Sequence, residues 1–104
     1  MYARNVSMNL KPNTALEFTK TFEKDILPIL RKQNGFKDEI TFVDTNGKDV
    51  LAISLWDRKE SADAYSRDTY PQVLKSLARV VEGTPEVRGY DVPVSTFHRT
   101  AATR

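Results

Sequence analysis

The sequence contains no cysteine, and this absence excludes several kinds of chemistry at once. Its 104 residues can form no disulfide, no thiolate metal site and no thiol nucleophile. No segment reaches the roughly 18 consecutive apolar residues that a membrane span needs, and residues 1–5 contain no apolar signal core. We therefore expect a small soluble protein of the cytoplasm that has no membrane partner.

The sequence also lacks an excess of charge of one sign. Sixteen Lys and Arg residues stand against 14 Asp and Glu, which gives a net charge of +2 and argues against a nucleic-acid partner. The chain has one histidine and no pair of carboxylates at ligand spacing, so we expect no metal site. Its 4 glycines are isolated from one another, which excludes a glycine-rich phosphate loop.

What the chain does contain begins with an alternating segment, Tyr2–Leu10. Val6, Met8 and Leu10 share one face with Tyr2 and Arg4. The other face carries only small or polar side chains, namely Ala3, Asn5, Ser7 and Asn9. A period of two over this length predicts a strand.

A helix is expected after this strand, with Asn13 or Thr14 as its cap. Apolar residues recur at the spacing of one helical face: Ala15, Phe18, Phe22, Ile26 and Ile29. Pro28 lies within this helix, so we expect it to bend the helix or to cost it a hydrogen bond.

Two strands are predicted next, over residues 39–44 and 49–56, because both segments are rich in apolar residues. Asn46-Gly47 lies between them and is typical of a hairpin whose two turn positions take positive φ. A second helical region begins near residues 58–61, and Pro71 should start a new helical stretch within it. The last strand is expected over residues 86–97, and residues 98–104 form a polar tail that should fray.

The order of elements is therefore β-α-β-β-α-β, in a single domain that spans residues 1–104. This order predicts an α+β, ferredoxin-like fold in which a four-stranded antiparallel sheet carries both helices on one face. RNA-recognition modules have the same order, but the segment from Val50 to Trp56 lacks their Arg/Lys-Gly-aromatic start. We therefore do not expect an RNA-binding module.

The third strand is apolar on both faces, which indicates a second layer over the sheet. Val50, Ala52 and Trp56 point one way, and Leu51, Ile53 and Leu55 point the other way. Two helices cover only one face of such a sheet, so the other face needs a cover of its own. A second copy of the chain related by a two-fold axis would supply it, and we predict a homodimer. The alternative is that all these side chains belong to one over-full core.

The chain resembles the antibiotic-biosynthesis-monooxygenase family of the dimeric α+β barrel superfamily. The resemblance rests on the Tyr2–Leu10 strand, the helix that ends in Asn34-Gly35-Phe36, the strand that ends in Ser54-Leu55-Trp56-Asp57, and the helix that carries Ala62 and Tyr65. It implies that two protomers face their sheets together to form a barrel. The family includes cofactor-free oxygenases of phenolic polyketides, heme-degrading oxygenases and members of unknown role.

For heme degradation, the resemblance implies three positions, of which one is intact here. Asn5 matches the asparagine of the first strand, whereas Tyr65 stands where relatives have tryptophan. Leu74 stands where the histidine ligand belongs and cannot bind iron, and His98 does not match that position. We therefore expect no defined ferric heme complex.

For cofactor-free oxygenation, the resemblance implies that a phenolic or quinol substrate is deprotonated and then reduces oxygen directly, with no cofactor and no metal. We predict that Asn5 and Tyr65 are catalytic and line a pocket between the sheet and the helices. Asn5 would hold a substrate oxygen, and Tyr65 would position the ring or shuttle a proton. The predicted substrate-binding residues are Phe22, Trp56, Tyr70 and Leu74. The alternative is a non-catalytic homodimer that binds a small apolar or aromatic molecule.

Overall fold

The computed structural model describes residues 1–97 and contains one antiparallel sheet of four strands in the order β2-β3-β1-β4. The strands are β1 (Tyr2–Leu10), β2 (Phe36–Val43), β3 (Asp49–Trp56) and β4 (Val81–Asp91). The helical segments are α1 (Ala15–Thr21), a π-helical turn (Phe22–Ile26), α2 (Leu27–Arg31), α3 (Lys59–Asp68) and α4 (Tyr70–Leu77). This arrangement confirms the predicted α+β, ferredoxin-like fold. Within residues 1–97, no helix is long and apolar enough to span a membrane.

The helices pack against one face of the sheet, which we call the helix face. On β1 this face carries Val6 and Met8, and on β3 it carries Val50, Ala52 and Trp56, all of them buried. They join a single core with apolar side chains of the helices, namely Phe18, Phe22, Ile26, Leu30, Ala62, Tyr65, Val73 and Leu77. The opposite face, which we call the open face, has no layer over it in the described part of the chain.

The first helical region comprises α1, the π-helical turn and α2, and the same side of all three segments faces the sheet. Phe18, Phe22, Ile26 and Leu30 recur every four residues and are all buried. The π-helical turn of Phe22–Ile26 lies in the middle of this series, and Pro28 then falls in the first turn of α2. Pro28 has no N–H to donate, and it lies where the π-helical turn passes directly into α2. Pro71 lies in the first turn of α4, as predicted.

The β2–β3 hairpin forms at the predicted residues but with a different turn. Gly47 has a φ of +73°, whereas Asn46 is not among the residues with positive φ, so the expectation of two such positions is wrong. The Asn46 side chain instead accepts hydrogen bonds from the backbone N–H of Lys48 at 2.7 Å and of Asp49 at 3.2 Å. These side-chain bonds stabilise a longer loop, as asparagine commonly does in turns.

The last strand begins and ends earlier than predicted, at Val81 and Asp91 instead of residues 86 and 97. Gly83-Thr84-Pro85 lies within this strand, because the pairing with β1 shifts between Ser7 and Asn9 and these three residues fall in the irregularity. Gly83 takes a φ of +74° at that point, a conformation that glycine adopts without strain. The predicted tail of residues 98–104, including His98, lies outside the described residues.

Candidate functional site

A small cavity lies between the helix face of the sheet and the helices. Its volume is about 30 Å³, which is room for roughly one water molecule. The apolar side chains around it are Val6, Met8, Phe22, Ile26, Leu30, Ala52, Val73 and Leu77. Five polar residues also line it, namely Arg4, Glu39, Ser54, Tyr65 and Tyr70. Polar groups that converge in an apolar cavity are typical of a ligand site.

Arg4 is a buried cation at this cavity, with 5% of its surface exposed. Its Nε donates a hydrogen bond to Ser66 Oγ at 2.8 Å, and no carboxylate of residues 1–97 forms an ion pair with it. Burial lowers the pKa of the guanidinium, and the neighbouring Tyr65 and Tyr70 oppose this shift. A buried charge without a counter-ion is costly, so the site favours the arrival of an anion.

The guanidinium of Arg4 packs against the rings of Tyr65 and Tyr70. The Cζ atom of Arg4 lies 4.0 Å from the centroid of the Tyr70 ring and 5.0 Å from that of Tyr65. Such stacking offsets part of the cost of burying the guanidinium. The Tyr70 hydroxyl is buried beside the guanidinium of Arg4, which can donate to it, and its own O–H has no acceptor in residues 1–97. This hydroxyl is therefore available to a ligand in the cavity.

Burial changes the acidity of both tyrosines. It raises the pKa of Tyr65 to about 12, a shift that the charge of Arg4 opposes. The pKa of Tyr70 is also raised by burial, and Arg4 again acts in the opposite direction. Both hydroxyls therefore stay protonated at neutral pH and act as hydrogen-bond donors, which excludes them as bases there.

Glu39 is the carboxylate of the cavity. It is partly buried, and its Oε1 accepts a hydrogen bond from Thr41 Oγ1 at 2.7 Å. Burial raises the pKa of Glu39 to about 7, and the hydrogen bond from Thr41 offsets only part of this effect. Its position follows from the register, since Arg4 pairs with Ser54 and Ser54 pairs with Glu39. The three residues thus form one row across the helix face.

The raised pKa of Glu39 predicts a pH-dependent stability. The folded protein holds this proton up to about pH 7, whereas the ordinary pKa of 4.5 applies to the unfolded chain. Burying the ionised group therefore costs nothing below about pH 4.5. The full shift corresponds to about 3.4 kcal/mol, and solvent screening of this partly exposed carboxylate reduces the cost to about 2 kcal/mol as the pH rises through 7. We expect Glu39→Gln to melt roughly 10 °C above the wild type at pH 8 and close to it at pH 4.5.

The control for these melting curves is Glu60→Gln, which changes an exposed glutamate of α3. This variant should follow the wild type at both pH values. A Glu39→Gln variant that shows the same difference from the wild type at both pH values would contradict the assigned pKa.

Three of the residues predicted from the sequence lie at the cavity. Tyr65, Tyr70 and Phe22 all line it, on α3, α4 and the π-helical turn respectively. The rings of Tyr65 and Tyr70 are 6.1 Å apart between centroids. Their predicted roles in catalysis and substrate binding remain predictions.

The other three predicted residues lie elsewhere. Asn5 pairs with Ile53 and Arg88 on the open face, so it does not line a pocket between the sheet and the helices. The alternation of the strand is the reason, since the Arg4 side of β1 faces the helices. Trp56 is fully buried with its ring centroid 5.2 Å from that of Tyr65, and its Nε1 donates to Ser54 Oγ at 2.9 Å. Leu74 lines a groove with the start of β4, while Val73 and Leu77 of the same helix face the cavity.

Arg4 and Glu39 are site residues that the sequence alone does not predict. The signal for Arg4 is a charged residue on the otherwise apolar face of β1, between Tyr2 and Val6. Glu39 gives a weaker signal, because it alternates with the apolar Ile40 and Phe42 and resembles a solvent-facing position. In residues 1–97, no cluster of His, Cys, Asp and Glu could hold a metal ion.

Comparison with solved structures gives several matches over most of the chain. A monooxygenase from the gene ActVA-Orf6 of Streptomyces coelicolor, in complex with the ligand nanaomycin D, has a TM-score of 0.76 at 13% identity, covering 90% of this chain and 88% of that one. SnoaB, a cofactor-independent oxygenase from Streptomyces nogalater, has a TM-score of 0.70 at 14% identity, covering 91% and 96%. A protein of unknown function from Nitrosomonas europaea has a TM-score of 0.77 at 11% identity, covering 95% of both chains.

Structures of the antibiotic-biosynthesis-monooxygenase family are among these matches, which confirms the resemblance at the level of the fold. No protein-family model and no curated protein sequence matches the chain. At such low identities the likeness establishes a shared fold, and function has to be argued from the site.

Proposed function

We propose that the protein is a cofactor-independent monooxygenase that acts on a small aromatic compound, a phenol or quinol, in the cavity between the sheet and the helices. The observation that carries the proposal is Arg4, a buried cation without a counter-ion in residues 1–97, which lies beside the buried hydroxyl of Tyr70. These groups can hold the negative charge that develops on an aromatic oxygen. SnoaB and the ActVA-Orf6 product, which share the fold, are oxygenases.

The chemistry needs only the substrate and molecular oxygen. An aromatic ketone such as anthrone loses a proton from its methylene carbon, and the electron pair moves through the ring to the carbonyl oxygen. The anion gives one electron to oxygen, and the resulting radical and superoxide combine into a peroxide on the former methylene carbon. The peroxide takes up a proton. Loss of the remaining hydrogen on that carbon then breaks the O–O bond and forms a second carbonyl, so one oxygen atom enters the product and the other leaves as water.

Entry of a ring requires side chains around the cavity to move. A volume of about 30 Å³ is too small for a benzene-sized molecule, which needs roughly 150 Å³. The π-helical turn supplies two of the lining residues, Phe22 and Ile26, and such turns are frequent at functional sites. We therefore expect this segment to shift when a substrate enters.

The proposal is tested by oxygen consumption of the purified protein with anthrones and quinols, without flavin, heme or metal. We expect uptake of one oxygen molecule per product, and about a 10-fold to 100-fold lower turnover in Tyr65→Phe, because the hydroxyl donor is lost while the ring stays. Thermal melting of both proteins is the control for folding. Absence of uptake with every compound would contradict the proposal.

The small volume of the cavity favours a second candidate, a non-catalytic homodimer that binds a small apolar or aromatic molecule. In that case a ligand would raise the melting temperature of the protein, but no oxygen would be consumed. The two candidates therefore give opposite results in the same oxygen-uptake experiment.

A homodimer is part of both candidates. On the open face, Ile40 and Phe42 are 48% and 50% exposed, and Leu51, Ile53 and Leu55 are partly buried beside them. An apolar sheet face of this kind requires a cover, and the same face of a second copy is self-complementary. We also propose a cytoplasmic location, as expected from the sequence.

A further inference from the structure

Glu39 occupies a boundary between the cavity and the surface. It lines the cavity together with Phe22, and the same two residues line a surface groove of about 310 Å³ between the first helical region and β2. A groove of this size is at the lower end of the range for small-molecule sites. A ligand that passes from the groove into the cavity therefore passes the Glu39 carboxylate.

Glu39 and Arg4 lie at the two ends of one row across the helix face. Ser54 separates them, and two strand spacings place their Cα atoms roughly 10 Å apart. Ser54 is engaged elsewhere, since its Oγ accepts a hydrogen bond from Trp56 Nε1 and donates to the backbone oxygen of Arg4. An aromatic molecule bound over this row would have a carboxylate at one end and a cation at the other.

We propose that Glu39 is the general base of the site: its carboxylate takes the acidic proton of the aromatic substrate, and Arg4 holds the negative charge that results. This inference rests on the proposed function for its substrate class. In the step, the C–H or O–H bond of the substrate breaks, the proton joins a carboxylate oxygen of Glu39, and the electron pair stays on the substrate. The same proton is then available to the peroxide at the next stage.

The other groups around the site cannot take this role. Tyr65 and Tyr70 stay protonated at neutral pH, and Arg4 is a cation. Among the described residues that line the cavity, Glu39 alone carries a carboxylate. A base whose pKa lies near the working pH is efficient because it is both ionised and able to hold a proton.

The charged and titratable groups that face Glu39 come from several elements. Arg4 on β1, Tyr65 on α3 and Tyr70 on α4 share the cavity with it, and Glu23 of the π-helical turn lies in the groove. Desolvation is the largest effect on the pKa of Glu39, and no cation among these groups lowers it appreciably. We therefore expect proton abstraction to increase as the pH rises through about 7.

The test separates proton abstraction from oxygenation. Anthrone is incubated with the protein in deuterated buffer without oxygen, and exchange of its methylene hydrogens is followed by NMR. We expect exchange well above that of buffer alone, about 10²-fold to 10⁴-fold less in Glu39→Gln, and partial recovery in Glu39→Asp. Glu60→Gln, an exposed change on α3, should exchange like the wild type.

Hydrogen exchange and oxygen uptake together distinguish the proposal that Glu39 is the base from the proposal that the protein is an oxygenase. Exchange that requires Glu39, without any oxygen uptake in air, would support the base and contradict the oxygenase. Oxygen uptake that persists in a folded Glu39→Gln variant would support the oxygenase and overturn the base. Exchange by the wild type that does not exceed the buffer rate, or that equals that of Glu39→Gln, would also overturn it.

Discussion

Replacement of the buried cation in Arg4→Met is expected to lower oxygenase turnover by about 10²-fold to 10³-fold. In the proposed mechanism the guanidinium balances negative charge on the substrate, and methionine keeps most of the side-chain volume without the charge. Arg4→Lys should lose less activity, because it keeps the charge and loses the planar stacking on the rings of Tyr65 and Tyr70. Initial rates of oxygen uptake measure both effects.

The same substitution should leave the stability nearly unchanged, which distinguishes a binding role from a structural one. Removal of one partner from a buried ion pair usually costs about 3–5 kcal/mol, but Arg4 has no such partner in residues 1–97. Arg4→Met loses the hydrogen bond to Ser66, but it also removes the cost of burying a charged guanidinium, and the two effects offset each other. We expect the free energy of unfolding to change by less than about 2 kcal/mol.

Arg67→Met is the matched control, because Arg67 is an exposed arginine of α3 that pairs with Asp68. It should keep the activity of the wild type. If Arg4→Met retained full activity, or if it failed to fold while Arg67→Met folded, Arg4 would be a structural residue and the site would not be an anion site.

A charge in the middle of the open face, introduced as Ile53→Asp, should convert the proposed dimer into a monomer. Ile53 lies in a row between Asn5 and Ile40, and the neighbouring Leu51 and Leu55 point the same way. An aspartate there would be buried without a partner in the dimer, at a cost of several kcal/mol per copy. Light scattering at micromolar concentration should give twice the mass of one chain for the wild type and one mass for the variant.

Leu16→Asp serves as the control for this measurement. Leu16 is an exposed leucine on α1, with 69% of its surface accessible, and lies on the other side of the molecule from the open face. The Leu16→Asp variant should have the same mass in solution as the wild type. A wild-type protein that is monomeric under these conditions would refute the dimer.

The regular parts of the fold could be predicted from hydrophobic spacing. The alternation in β1 and the spacing of Phe18, Phe22 and Ile26 each give the correct element, because burial on one face imposes these periods. The irregular parts could not. Gly83-Thr84-Pro85 has the composition of a turn, but it lies between the pairs Ser7–Glu86 and Asn9–Glu82 and is therefore an irregularity within a strand. The local sequence does not show the strand with which it pairs.

The candidate site was only partly predictable for a related reason. Tyr65 and Tyr70 could be found because aromatic residues on helices commonly face the core. The orientation of β1 was the harder problem, since its small, polar face resembled a substrate pocket, whereas the face with Arg4 packs against the helices. Adjacent residues of a strand point to opposite faces, so the choice of face decides whether Asn5 or Arg4 is the candidate site residue on β1.

The most direct test of the account is the acidity of a phenol bound in the cavity. A dihydroxyanthraquinone changes colour when it loses a proton, so its bound pKa can be read by spectrophotometric titration with the wild type and with Arg4→Met. We predict that the wild type lowers the pKa of the bound phenol by about 1–3 pH units and that Arg4→Met does not. Equal pKa values for the phenol bound to the two proteins would contradict the claim that Arg4 makes this cavity a site for an aromatic anion.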